Sequence, residues 1–408
     1  MADQITFSVS PSIVLCDDVY VMLPQFMDNR DIKAFRLVSR RFADFGARWL
    51  VRDIWLHFRR SSFNHLEQIS RHPIMAKHVR SISYFRPVAW DRDRDYEAWR
   101  TGEGRGSWPE EELAQGHKEV VSVLDEEAAI ARIKPVSSQI KASVERFSGL
   151  RSVMMVTGSP DQMKQVSEHR SLIGFEQSHG IESYQGMWEL TSLMVSARES
   201  RIKELRAGKL NCSFFSKGLV EKASMWWGGI RVLELELLRC WPKVSTEGVK
   251  GFLMGLQELE KLGISFDPYS EAGCAQLRDV FELNGRWKNL TELGVYGVKC
   301  KGDELLQLLS NHKCKLQRFK MACVELEPPD DWPQVMWAIR GLKLDKIEIG
   351  GWIKSEDGIW GGGCGVSGWM LGEDGVWGGG FGRTERWLMD IEMEGGCPLE
   401  PIIDADLE

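Results

Sequence analysis

The chain has 408 residues, 43% of them apolar and 27% charged, with 52 Lys plus Arg against 59 Asp plus Glu and a formal net charge of -7. Such a composition can build a core, and it holds no uninterrupted run of about 18 apolar residues, which excludes a hydrophobic membrane-spanning helix. The length predicts two or three domains, or one long repeat array. The N-terminus lacks a basic n-region, and Asp17 and Asp18 cut short its one apolar stretch, so no secretory signal is expected. Nine Cys without a C-x-x-C pair suit neither a disulfide scaffold nor a zinc ribbon, and reduced thiols in the cytoplasm or nucleus are expected.

Asp17 and Asp18 can cap a helix whose apolar face is Val19, Met22, Leu23, Phe26 and Met27, although Pro24 falls inside it. Asp31 can start a second helix, and Phe35, Val38, Phe42 and Phe45 form the next stripe. Ile54, Leu56 and Phe58 then alternate with polar neighbours as in a strand. Between Arg30 and Arg80 stand 12 Lys or Arg against 4 Asp or Glu. That block is a solvated face, a surface for an acidic protein, or a nucleic-acid surface. Arg86 to Lys118 mixes signs and glycines and reads as an exposed insertion.

The order Leu15-Cys-Asp-Asp-Val19, Met22-Leu23, Asp31-Ile32 and Arg36-Leu-Val-Ser-Arg-Arg-Phe42 resembles an F-box. The stretch from Leu66 to Ile74 with His78-Val-Arg80 is similar to the segment next to that motif in many filamentous-fungal members. Cys16 replaces the usual opening Pro. The resemblance implies a non-catalytic adaptor that docks on the Skp-type linker subunit, and through it the cullin scaffold, of a ubiquitin ligase. Carried onto matching positions, the linker-binding residues would be Leu15, Val19, Leu23, Ile32, Leu37, Val38 and Phe42.

A second pattern is a repeat. L-x-x-L-x-L, with any large apolar residue allowed, starts at Ile230, Leu259, Leu290, Leu316 and Leu344, at spacings of 29, 31, 26 and 28 residues. Looser copies start at Val79, Leu150 and Ile202, and helical stretches lie between copies. A strand and a helix at this period define a leucine-rich repeat. The ninth position of each clean copy holds Leu238, Asp267, Val298, Val324 or Trp352, so no asparagine ladder forms and an irregular solenoid is expected. Residues between the leucines would face solvent on the concave side. They are Glu234, Glu236, Lys261, Gly263, Glu292, Tyr296, Arg318, Lys320, Lys346 and Glu348. Their mixed charge suits a protein target better than a phosphate backbone.

The segment from Gly350 to Gly396 holds 16 of the 40 glycines, and Glu356-Asp-Gly-Ile-Trp-Gly-Gly-Gly363 recurs as Glu373-Asp-Gly-Val-Trp-Gly-Gly-Gly380. A weakly folded low-complexity tail is expected there. Gly363 to Gly368 matches G-x-G-x-x-G by letter without a βαβ context, and no catalytic or metal-ligand motif stands elsewhere, so no cofactor is expected. The expected fold is α/β: a tail at 1–12, a helical F-box at 13–58, a first repeat-like unit with a charged insertion at 59–149, a leucine-rich-repeat-like solenoid at 150–352, and the Gly/Trp tail at 353–408. The expected partners are the linker and cullin subunits and a target protein, without membrane. A scaffold outside ubiquitination and a nucleic-acid-associated protein are the rival functions.

Overall fold

Asp28 accepts the Asp31 backbone N–H at 2.8 Å, and Ser39 accepts that of Phe42 at 3.2 Å. Each side chain satisfies an N–H that the first turn of a helix leaves without a partner. Three short helices result, α1 (Asp17–Met22), α2 (Asn29–Arg36) and α3 (Arg40–Leu50). Pro24 does not kink a longer helix. The α-helix stops at Met22, and a 3-10 turn, Leu23–Phe26, takes the proline at its start. Phe42 lies between Phe35 (ring centroids 4.6 Å apart) and Tyr20 (4.8 Å), and Trp49 donates its ring N–H to the Val21 carbonyl at 3.2 Å.

The computed structural model describes residues 17–57, 59–85, 94–101, 109–132, 136–156, 202–211, 215, 227–238, 244–266, 274–285, 287–328, 332–342, 344–355, 358–360, 370–371 and 377–378. After the three helices come β1 (Asp53–His57), α4 (Arg60–Arg71), β2 (Ser81–Phe85), α5 (Tyr96–Arg100), α6 (Glu110–Arg132), α7 (Val136–Val144), β3 (Ser152–Val156) and β4 (Glu204–Asn211). Next are β5 (Val232–Leu238), α8 (Val244–Met254), β6 (Lys261–Phe266), β7 (Ala275–Gln276), α9 (Leu277–Val280), β8 (Glu292–Tyr296) and β9 (Val298–Cys300). The chain continues through α10 (Gly302–His312), β10 (Arg318–Leu326), α11 (Trp332–Arg340), β11 (Lys346–Ser355), β12 (Gly358–Trp360), β13 (Met370–Leu371) and β14 (Trp377–Gly378).

The protein is mixed α/β, built on one large, mostly parallel sheet. Its order, β1-β2-β3-β4-β5-β6-β8-β10-β11-β12, keeps to chain order, with the small strands β7 and β9 beside it. All pairs along the path are parallel until β12 closes antiparallel on β11. The apolar positions of the repeat fall into register. Ile54, Ile82, Val153, Leu205, Leu233, Leu262, Leu293, Phe319 and Ile347 form one row across nine strands. Leu56, Tyr84, Met155, Ala207, Leu235, Ile264, Val295, Met321 and Ile349 form the next. The apolar stripes of α4, α7, α8, α9, α10 and α11 cover these rows in one continuous core. Each strand alone offers an apolar face too narrow to hold a helix, and stacking neighbours widens it.

Three expectations change. The strand expected to end the N-terminal helical unit is β1, hydrogen-bonded to β2 and so part of the sheet. The expected tail boundary at 353 falls inside β11, which runs to Ser355 and pairs with β12. The insertion expected to be exposed buries Trp99 completely, beside Tyr96 and His117. The segments 1–12, 363–368 and 379–408 lie outside the described residues.

Candidate functional site

Side chains alternate along a strand, so the residues between the apolar rows occupy the opposite face. There Arg206, Glu234, Gly263, Gly294, Lys320 and Glu348 share one register row, and Lys261, Glu292, Arg318 and Lys346 share another. The residues expected on a concave side are therefore gathered onto one face of the sheet. They do not all meet solvent as expected: Glu234 has a side-chain exposure of 0%, and Lys320 of 6%.

Ion pairs explain that burial. Lys261 Nζ lies 2.8 Å from Glu234 Oε1 and 3.4 Å from Glu292 Oε1. Lys320 Nζ reaches the same Glu292 oxygen at 3.4 Å and Glu348 Oε2 at 3.1 Å. Arg206 closes one end on Glu234 at 3.5 Å, Lys346 closes the other on Glu348 at 2.5 Å, and Arg318 joins Glu292 at 3.7 Å. Through Arg206, Glu234, Lys261, Glu292, Lys320 and Glu348 the signs alternate from strand to strand, so each buried charge faces opposite charges on its flanks, while Arg318 and Lys346 pair in register as like charges at the exposed edge. The two cations beside Glu234 do not align as hydrogen bonds to it, and its compensation is coulombic. Burial pushes the Glu348 carboxyl up, but hydrogen bonds from Lys346 and Lys320, and their charges, more than offset this and hold it below the usual carboxylate range.

A shallow, water-sized depression, partly open to solvent, lies within this surface. Gly263 and Gly294, side by side on β6 and β8, leave its floor without side chains, and Tyr296, Lys261, Lys320 and Glu292 stand around it. Glu236 pairs in register with Ser265, next to Tyr296, at the edge of the same face.

A second surface lies on the N-terminal helices. Leu37 is 88% exposed, Phe26 80%, Val38 68% and Met22 53%, with Val19 also exposed. Exposed Arg30, Lys33, Arg40 and Arg41 lie on the same helices. Of the seven residues matched to linker binding, Val19, Leu37 and Val38 are outward, while Leu23 and Phe42 are half-buried. Ile32, at 4% exposure, is a core residue, because it packs where Gly46 lets α3 approach α2. Leu15 lies outside the described residues.

Sequence reasoning missed Gly294, Arg206, Met22 and Phe26 as site residues. Arg206 stands at the equivalent position of a loose repeat copy, and Met22 and Phe26 share the apolar stripe of the first helix with Val19 and Leu23. Among the described residues no helix is long and apolar enough to cross a membrane, and no group of three His, Cys, Asp or Glu gathers as metal ligands. Neither a family model nor a curated protein matches the chain.

Proposed function

We propose that the protein is a non-catalytic substrate adaptor of a cullin-RING ubiquitin ligase, with an F-box at α1–α3 and an irregular leucine-rich-repeat solenoid behind it. The observation that carries this reading is the exposure of Leu37 and Val38 in the turn between α2 and α3, together with that of Met22 on α1 and Phe26 in the 3-10 turn after it. Large apolar side chains exposed to water favour a partner that removes them from it. The basic residues among them suit an acidic partner, as the linker subunit would be. The chain-ordered parallel sheet supports a solenoid body, whose polar face would hold a target protein. The adaptor then acts by proximity, raising the target's concentration near the ubiquitin-loaded conjugating enzyme.

The test is co-purification of the linker and cullin subunits with the tagged full-length chain, wild type against the double variant Leu37→Asp, Val38→Asp. Both positions are solvent-exposed, so circular dichroism and thermal unfolding should stay as in the wild type while both subunits are lost. A well-folded wild-type chain that never recovers the linker would overturn the reading in favour of a scaffold outside ubiquitination.

A further inference from the structure

We infer that the strand-entry edge of the sheet is a docking line for an acidic segment of a bound protein, with Arg52, Arg80, Arg151, Lys203 and Arg231 as its cations. Each stands one position before the register row Asp53, Ser81, Ser152, Glu204 and Val232, on five neighbouring strands. The Arg80 backbone N–H donates to the Arg52 carbonyl at 2.8 Å, Arg151 to Arg80 at 2.8 Å, Lys203 to Arg151 at 2.7 Å and Arg231 to Lys203 at 2.7 Å. Backbone hydrogen bonds thus hold the five side by side, and at about 4.8 Å per strand the row is roughly 19 Å long.

The fold does not require cations there. The same position in the next four rungs holds Glu260, Thr291, Gln317 and Asp345. Like charges side by side on neighbouring strands destabilise a sheet, so the row carries a repulsion that an anion from outside would relieve. Arg52, Arg80 and Arg151 are exposed, and Lys203 and Arg231 half-buried. Glu260 closes the row by pairing with Arg231 at 3.1 Å. At the other end, exposed Arg48 on α3 and Lys77 in the 3-10 turn Ala76–His78 extend it. The pKa of His78 is lowered, by burial first and then by the charges of Arg48, Lys77 and Arg80, which gather around it. Among the described residues, Arg48, Arg52, Lys77, Arg80 and Lys203 have no ion-pair partner.

Charge and width select the occupant. Arg80 Nη1 donates to the Gly149 carbonyl at 3.0 Å, and the Arg52 guanidinium lies 5.3 Å from the centroid of the Trp49 ring. Both groups are placed while most of their donors stay available, and guanidinium forks match carboxylates in paired hydrogen bonds. About six residues of an extended chain span the row, and a run of Asp and Glu supplies a carboxylate for each cation. A nucleic acid fits less well. The protein's net charge of -7 repels a long polyanion at a distance, and a line one residue wide, flanked by Asp53 and Glu204, offers little to the two strands of a duplex.

Assigning the acidic segment to a captured target rests on the adaptor reading, but the test leaves the linker out, so either can fail without the other. Fluorescein-labelled decaglutamate, decaglutamine and a short DNA duplex are each titrated with the full-length protein at low salt, and anisotropy is followed. The expected result is saturable binding of decaglutamate, at least tenfold weaker binding of decaglutamine, and duplex binding no tighter than that of decaglutamate. Arg52→Glu with Lys203→Glu should weaken decaglutamate binding at least tenfold. Lys288→Glu with Lys313→Glu, the same change of charge at exposed positions outside the row, should alter it less than twofold. The milder pair Lys77→Gln with Lys203→Gln should weaken it at least threefold, and circular dichroism checks that every variant is folded. Absence of saturable decaglutamate binding, tighter binding of the duplex, or equal losses in the two charge-reversed variants would each overturn the proposal.

Discussion

His312 lies nearly parallel to Trp287, with ring centroids 5.3 Å apart, and its Nε2 accepts the Trp287 backbone N–H at 3.1 Å. Its Nδ1 is 2.8 Å from the Leu308 carbonyl, so the ring is neutral with its proton on Nδ1. The indole N–H of Trp287 in turn donates to the Leu253 carbonyl at 3.2 Å. One buried pair thus ties α8, the segment before β8, and α10 together. His312→Ala should cost about 3 kcal/mol, from the lost ring contact and a stranded N–H, measurable as a shift of the urea midpoint.

Acid should attack the polar face through Glu348. Its folded pKa is depressed, so its stabilisation is full above the ordinary carboxylate value of 4.5 and is lost as pH falls through the lower folded value. Glu348→Gln should be less stable than wild type at pH 7, and the difference should vanish on acidification below 4.5. Lys320→Met removes a cation shared by Glu292 and Glu348, leaving Lys261 and Arg318 beside the first and Lys346 beside the second, and should cost about 2 kcal/mol at neutral pH. Denaturant unfolding of both variants across pH separates these effects.

Two neighbouring glycines should behave in opposite ways. Gly297 has φ +67°, and a Cβ there would come within 2.1 Å of the Phe266 carbonyl oxygen. Gly297→Ala should lose at least ~2 kcal/mol, whereas Gly294→Ala should stay within about 0.5 kcal/mol of wild type. A matched pair of chemical denaturation curves decides it.

The apolar patch on α1–α3 should be nearly free of folding energy. Phe26→Ser with Leu37→Ser is expected to change unfolding stability by less than about 0.5 kcal/mol while reducing self-association and hydrophobic-dye binding. A large loss of stability would mean that these side chains pack within the chain, and with it the case for an outward-facing docking surface would go.

Truncation separates the sheet from its tail. A chain ending at residue 360 retains β11 and β12 and should unfold like the full protein. A chain ending at residue 345 removes β11, bares the edge of β10 and takes Glu348 from Lys320. It should aggregate on light scattering, because an open strand edge invites pairing with other chains.

The apolar rows were legible because a strand's pattern is local: Leu233 and Leu235 announce their own facing, and a fixed spacing announces their stacking. Burial of Glu234 was not, since its partners Arg206 and Lys261 come from different strands and meet it only through lateral register. The glycine floor hid for the same reason, as Gly263 and Gly294 are neighbours across strands rather than along one. Burial of Ile32 was not legible either, because a motif names positions without saying which way a helix turns them, and that depends on Gly46 in the next helix. The linker and target assignments come from resemblance and composition.

The order of the sheet has a consequence for how the molecule fails. Along the main path each strand touches the ones before and after it in the chain, so the protein approximates a one-dimensional lattice whose members share energy with nearest neighbours. Heat should then fray it from the two ends, and amide exchange should be slowest around β5, β6 and β8. The same arrangement permits growth: the long segment between β3 and β4 leaves Ser152 still paired with Glu204, so material can be spliced between rungs without disturbing the ladder.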